Sequence, residues 1–301
     1  EDPQATGAGS GYYVATNPIN DKIVIQSLTA EMNEMIQINS ESFPIHISMS
    51  MDFAYSLRKI SLQYNGPLIQ VRRDSDNATQ DIGVNDLGLL DVDTLQTFVG
   101  GGDGYVTTWY DQSGNNTHAT QVTQARQPQI VSSGTIVTSD GEYAILFDGI
   151  DDHLSSGSAV SSGERGVTTV ANMTSADSNS ELYGMGRNSS NPGSYGLLPG
   201  SVGGWDDNGT NTSITRPTAS GQEVFSVLFS NDQTELHLNN TLVNTDSRTF
   251  TNYTQGMVIG ARLGTLFSSN SYLQEFYAHS EDIREYRESF QEKIMSAYEI
   301  D

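Results

Sequence analysis

Acidic side chains gather at three places in this sequence where short spacing lets them act together. FDGIDDH sets Asp148, Asp151 and Asp152 within five residues, and GWDDNG sets Asp206, Asp207 and Asn208 in a row. WYDQSGN places Asp111 between Trp109 and the polar pair Gln112 and Ser113. Neighbouring carboxylates suit a hard cation: calcium takes six to eight oxygen ligands, which closely spaced Asp and Asn supply. The same acids also fit solvated turns.

Asp148, Asp151 and Asp152 are therefore the candidate metal ligands, with Ca2+ as the ion, although no cofactor is required. Neither cluster has the spacing of a helix–loop–helix calcium loop: counting on from Asp206, position 217 is Pro where a Glu belongs. The candidate ligand-binding residues are Trp205, Asp206, Asn208, Tyr195 and Asp111. An aromatic face suits the C–H bonds of a sugar ring, and Trp205 sits in a glycine-rich stretch that favours exposure. Asp111 has a second reading as the first residue of an Asx turn that Gly114 completes. Trp109 alternates with Tyr105 and Thr107 and reads as core. The histidines at 46, 118, 153, 237 and 279 show no metal-binding spacing, and no G-x-S-x-G elbow or P-loop occurs. Eight N-x-S/T sequons fit an Asn/Ser/Thr-rich composition.

The elements that must position these residues are mostly strands. Of 301 residues, 36% are hydrophobic, 17% are charged and none is Cys, so no disulfide or thiolate chemistry is available. Fourteen basic against 37 acidic residues give a net charge of −23, which opposes nucleic-acid and anionic-membrane partners. No apolar run reaches the roughly 20 residues of a membrane span, which reads as a soluble chain or a soluble part of an assembly. The sequence opens on Glu1, as a processed product or a fragment would, and Glu1–Ser10 reads as a flexible leader.

Ile45, Ile47, Met49 and Met51 alternate as in a strand, and residues 1–51 read as a β-rich arm serving assembly with neighbouring subunits. The remainder, 52–301, reads as one sandwich domain. Phe53, Leu57, Ile60 and Tyr64 fall on one helical face, predicting a helix from Phe53 to Tyr64, and Asp91–Phe98 predicts a second. Short strands follow, among them Tyr105–Tyr110, Gln129–Val131, Ala144–Phe147, Val167–Asn172, Val224–Phe229, Glu235–Leu238 and Met257–Ile259. Turns at Asp148-Gly149, Asp207–Gly209 and Asn239-Asn240 separate them. Ser280–Ile300 predicts a terminal helix with Glu281 and Asp282 in its first turn and a stripe through Ile283, Tyr286, Phe290, Ile294 and Ala297. The whole reads as a mainly β, two-sheet antiparallel jelly-roll sandwich with a C-terminal helix.

Several segments together resemble a known family. AYSLRKIS, GPLIQVRRDSDNATQDIG, GYVTTWYDQSGNNTHATQ, RQPQIV and ILFDGIDDHL resemble the catalytic domain of α-L-arabinofuranosidase B and its bacterial and phage relatives. EVFSVLFSNDQTELHLNNTLV resembles the strands of concanavalin A-like and laminin-G-like domains. The resemblance, over about residues 52–300, implies the sandwich fold. It also implies a nucleophilic Glu within the stretch matching Tyr195–Gly209, which holds none, and an acid near Ala261–Gly264, where Arg262 stands. The family's adjacent cysteines are missing. On those departures the expectation is a non-enzymatic virion protein of capsid surface, fibre or tail, with glycan or host-surface binding and other virion subunits as partners in an oligomeric assembly. Its expected location is the virion surface or the extracellular space. A bacterial carbohydrate-binding module or adhesin is the second reading and an arabinofuranosidase-like hydrolase the third.

Overall fold

The computed structural model describes residues 14–16, 23–25, 50–159, 165–174, 182–185, 194–198, 201–205, 211–215, 221–230, 233–246, 256–261 and 268–300, with the backbone alone at 14–16, 23–25, 158–159, 185, 194–198, 201–205, 211–215 and 246. Two compact units are present, Glu1–Phe43 and Pro44–Asp301. In the first, β1 (Val14–Thr16) pairs antiparallel with β2 (Ile23–Ile25). The expected strand at Ile45–Met49 lies outside the described residues.

The second unit is a β-sandwich. One antiparallel ladder runs β3 (Met51–Ser56), β23 (Asn270–His279), β14 (Arg165–Met173), β19 (Glu223–Phe229), β20 (Thr234–Leu238) and β21 (Thr241–Asp246). The other starts at β5 (Thr79–Ile82), passes through β4 (Ile69–Arg73) and reaches β6 (Gly104–Trp109). There it divides to β7 (Ala119–Thr120) and β8 (Gln129–Ser132). From β7 it continues through β13 (Leu154–Ala159), β22 (Gly256–Ile259), β15 (Tyr183–Met185), β16 (Ser194–Leu198), β17 (Ser201–Trp205) and β18 (Asn211–Thr215). β8 also pairs with the short β9 (Thr135–Ile136), and β10 (Thr138–Ser139) forms a small hairpin with β11 (Glu142–Tyr143). β12 (Ile145–Asp148) joins the ladders by pairing with both β8 and β23.

The main core fills the space between the ladders. Tyr55 of β3 lies 5.7 Å from Trp109 of β6, and Phe276 of β23 meets Tyr183 of β15 edge-on at 5.4 Å. Val71, Val106, Phe147, Ile259, Val167 and Leu236 complete it. Trp109 is fully buried. A second cluster lies on the outer face of the first ladder, where Ala54, Val170, Val224 and Tyr277 meet Phe290 and Ile294 of the C-terminal helix.

Two expectations need correction. Met51–Ser56 is a strand, not the start of a helix, because the segment is buried on both sides. Phe53 and Tyr55 enter the main core while Ala54 faces the second cluster, and β23 supplies the backbone partners, Phe276 opposite Tyr55 and Tyr277 opposite Ala54. The i, i+4, i+7 spacing of Phe53, Leu57 and Ile60 was compatible with a helix, but a period-two pair decided the structure. The terminal helix is also shorter than expected. It spans Arg287–Ala297 (α2), and Asp282 accepts from the Arg284 backbone N–H to form a turn ahead of it. Glu281 instead accepts from Ser50 N–H at 2.7 Å. The other expected helix is α1 (Val92–Val99), capped by Asp91 at Thr94 N–H and burying Leu95 and Val99, with Phe98 only partly buried.

Candidate active site

Register brings five residues, one from each of five strands, into a line. Leu146 of β12 pairs with Gln129 of β8, Gln129 with Tyr105 of β6, Tyr105 with Arg72 of β4, and Arg72 with Thr79 of β5. Directly paired residues project to the same face of a sheet. Four of these, Leu146, Gln129, Tyr105 and Arg72, line a polar cavity of about 460 Å³ whose lining also includes Asp74, Gln127, Asp148 and Asp152. That volume is in the range of small-ligand sites.

Arg72 is fixed from several directions. Its Nε donates to Gln127 Oε1 at 2.7 Å, and its Nη1 donates to Asp74 Oδ1 at 3.0 Å and Asn77 Oδ1 at 2.9 Å. Its guanidinium carbon stands 4.9 Å from the centre of the Tyr105 ring. Asp74 and Asn77 belong to the β4–β5 turn, where Asn77 takes φ 59°, so the RRDSDN motif builds the turn that holds its own arginine. Nη2 carries none of these bonds.

The carboxylates stand on the β12–β13 loop. Asp148 Oδ1 accepts the N–H of Ile150 at 2.8 Å, and Asp152 Oδ2 accepts the N–H of Asp148 at 3.1 Å. Gly149 permits the tight turn with φ 78°. Asp148, Asp151 and Asp152 each place an oxygen within 4.8 Å of the others. Asp152 is only 6% exposed. Its carboxyl is pushed up to about 7, first by burial and then by the charge of Asp148, against the hydrogen bond from Asp148 N–H. At neutral pH it is therefore partly protonated beside an exposed neighbour. The same three oxygens could ligate a hard cation, which would require all three groups to be ionised.

The opposite wall is the segment 121–127, bound to this loop. Gln121 Nε2 lies 2.8 Å from His153 Nε2, while His153 Nδ1 lies 2.9 Å from the Asp151 carbonyl. Only a proton on Nδ1 satisfies both contacts, with Nε2 accepting. Burial lowers the His153 pKa, which favours this neutral form. Arg126 reaches Asp151 at 3.5 Å.

Other candidate residues lie elsewhere. Asp111 is 2% exposed and both of its oxygens hold the turn. Oδ1 accepts from Ala54 and Ser113 N–H, and Oδ2 from Thr117 N–H and the Ser113 hydroxyl. Tyr195 and Trp205 belong to the adjacent strands β16 and β17, where Tyr195 pairs with Gly204 and Ser194 with Trp205. Asp206 and Asn208, with the turn at Asp207–Gly209, lie outside the described residues. Arg72, Gln127 and Gln129 were not singled out by the sequence. Their signal was the alternation Gln70-x-Arg72 and Tyr105-x-Thr107 on strands that prove to be neighbours, with Gln127-x-Gln129 leading into β8.

The family model described as the catalytic domain of α-L-arabinofuranosidase B matches residues 52–149. A GH54 α-L-arabinofuranosidase soaked with a cyclic sulfate inhibitor superposes with a TM-score of 0.67 at 16% identity, covering 88% of this chain and 65% of its own. The chain is a sandwich resembling the arabinofuranosidase B catalytic domain. An arabinofuranosidase complexed with arabinofuranosyl-α-1,2-xylobiose gives a TM-score of 0.59 at 18% identity, covering 83% of this chain and 63% of its own. The chain thus spans about two thirds of the length of these enzymes, and at such identities the superposition establishes the fold alone. No curated protein matches the sequence.

These matches overturn the expectation of a non-enzymatic virion protein, since the family model is that of a catalytic domain and the matched structures are glycosidases. Virion subunits and an oligomeric assembly find no support in them. The non-enzymatic expectation rested on the Glu missing from 195–209, the acid missing from 261–264 and the missing cysteines. The loop 148–152 carries a close pair elsewhere in the fold.

Proposed function

We propose that the chain is a glycoside hydrolase of the α-L-arabinofuranosidase type, working at the cavity over β12, β8, β6 and β4. The observation that carries this reading is the extent of the catalytic-domain match. Residues 52–149 include the whole row that lines the cavity, and Asp148 as well. Asp152 is the general acid and Asp148 the nucleophile. Oxygens within 4.8 Å fit the retaining scheme, in which the carboxyls stand about 5–5.5 Å apart, better than the inverting one at about 6.5–9.5 Å.

In the first step Asp152 gives its proton to the leaving glycosidic oxygen as an Asp148 oxygen bonds to the anomeric carbon. In the second, ionised Asp152 takes a proton from water, whose oxygen displaces Asp148. Arg72 Nη2 and the Gln129 amide offer hydrogen bonds to sugar hydroxyls, and Tyr105 offers an aromatic surface. The test is hydrolysis of 4-nitrophenyl α-L-arabinofuranoside. Nitrophenol release above the buffer rate is expected, with α-configured arabinose as the first product by NMR. Release no faster than buffer overturns the proposal.

A further inference from the structure

The cavity row has a second polar row beside it. Gln70 lies two residues from Arg72 on β4 and pairs directly with Asp81 of β5, so both share the face of Arg72 and Tyr105. Gln70 Nε2 donates to Asp81 Oδ1 at 3.0 Å, and the Thr107 hydroxyl donates to Gln70 Oε1 at 3.0 Å. The Tyr110 hydroxyl donates to Asp81 Oδ1 at 2.8 Å. These four side chains hold one another in place at the surface. Each retains capacity: Gln70 a second N–H, Asp81 its Oδ2, and the Thr107 and Tyr110 hydroxyls their lone pairs.

We propose that this outer face of β6, β4 and β5 is a binding track for a neutral polysaccharide chain, continuing the cavity toward β5. From β12 to β5 the face crosses four interstrand steps of ~4.8 Å, or about 19 Å, which is longer than one sugar ring. The side chains present are those that recognise hydroxyls: amides, hydroxyls, a carboxylate and aromatic rings. Their mutual hydrogen bonds fix their rotamers before a ligand arrives, reducing the entropy lost on binding. Exposed Asp74, Asp81 and Asp148 line the route, so a chain bearing carboxylates is repelled. The track takes its ligand class from the hydrolase reading, but binding there needs no chemistry.

Native affinity electrophoresis in gels containing soluble arabinoxylan, polygalacturonate or no polymer tests the track. The full chain and its Asp152→Asn variant are both expected to be retarded by arabinoxylan and not by polygalacturonate. Gln70→Ala combined with Asp81→Ala should raise the apparent Kd at least ~10-fold. Thr107→Val, a near-isosteric change, should raise it less while keeping the wild-type melting temperature. No retardation of the wild type, equal retardation of the double variant, or stronger retardation by polygalacturonate overturns the track. Retardation without nitrophenol release overturns the hydrolase and leaves the track standing.

Discussion

Asp148 donates its backbone N–H to the Asp152 carboxylate over 3.1 Å, and that bond anchors the Asp152 carboxyl beside Asp148 on the cavity wall. The turn through Gly149 makes the geometry, and burial of Asp152 makes the two groups unequal. Unequal neighbouring carboxyls are the usual arrangement for dividing acid from nucleophile.

That inequality has a consequence for stability. The Asp152 pKa is raised from an ordinary 3.8 to about 7, so between these values the folded chain holds a proton that the unfolded chain has released. Stability should therefore fall as pH rises from about 4 to 7, by the sign of proton linkage. Melting temperatures across this window should show a steeper fall in the wild type than in Asp152→Asn.

Calcium should inhibit. A cation bound by Asp148, Asp151 and Asp152 requires the ionised form of Asp152 and removes the acid. Millimolar calcium should lower the initial rate near pH 6, and a chelator should restore it. Activation by calcium would contradict the division of roles.

Glu275 should be among the most sensitive positions for folding. It is fully buried, accepts from Arg58 Nε at 2.5 Å and from the Ser56 hydroxyl at 2.9 Å, and receives the Tyr277 hydroxyl. Glu275→Ala leaves Arg58 buried without its counter-charge, and urea unfolding should show a loss of about 3–5 kcal/mol.

Asp111→Ala should destabilise without touching the cavity. It frees the N–H groups of Ala54, Ser113 and Thr117, joining β3 less firmly to the turn after β6. A loss of at least about 3 kcal/mol is expected, from hydrogen bonds to a charged group worth about 1.5–3 kcal/mol each.

Legibility in the sequence followed the range of the interactions. α1 could be read because Asp91, Leu95 and the glycines after Val99 are local signals. The hairpin at Asn239-Asn240 was equally local, with both residues at positive φ. β3 was misread because its partners, Phe276 and Tyr277, lie more than 200 positions away. The acidic loop was visible as a motif, but its meeting with Arg72 and Tyr105 depends on three strand registers that composition and spacing do not encode. Asp111 stood out for the same reason as Asp152, and both are buried; only hydrogen bonding and position separate the turn builder from the cavity residue.

The most direct test is the pH profile of kcat/KM on 4-nitrophenyl α-L-arabinofuranoside for the wild type and Asp152→Asn. The wild type should show an upper limb near pH 7, set by ionisation of the free acid. Asp152→Asn should lose that limb together with about 10²–10⁴-fold of the rate. A wild-type rate equal to buffer, or an Asp152→Asn profile that keeps the limb and the rate, would contradict the account.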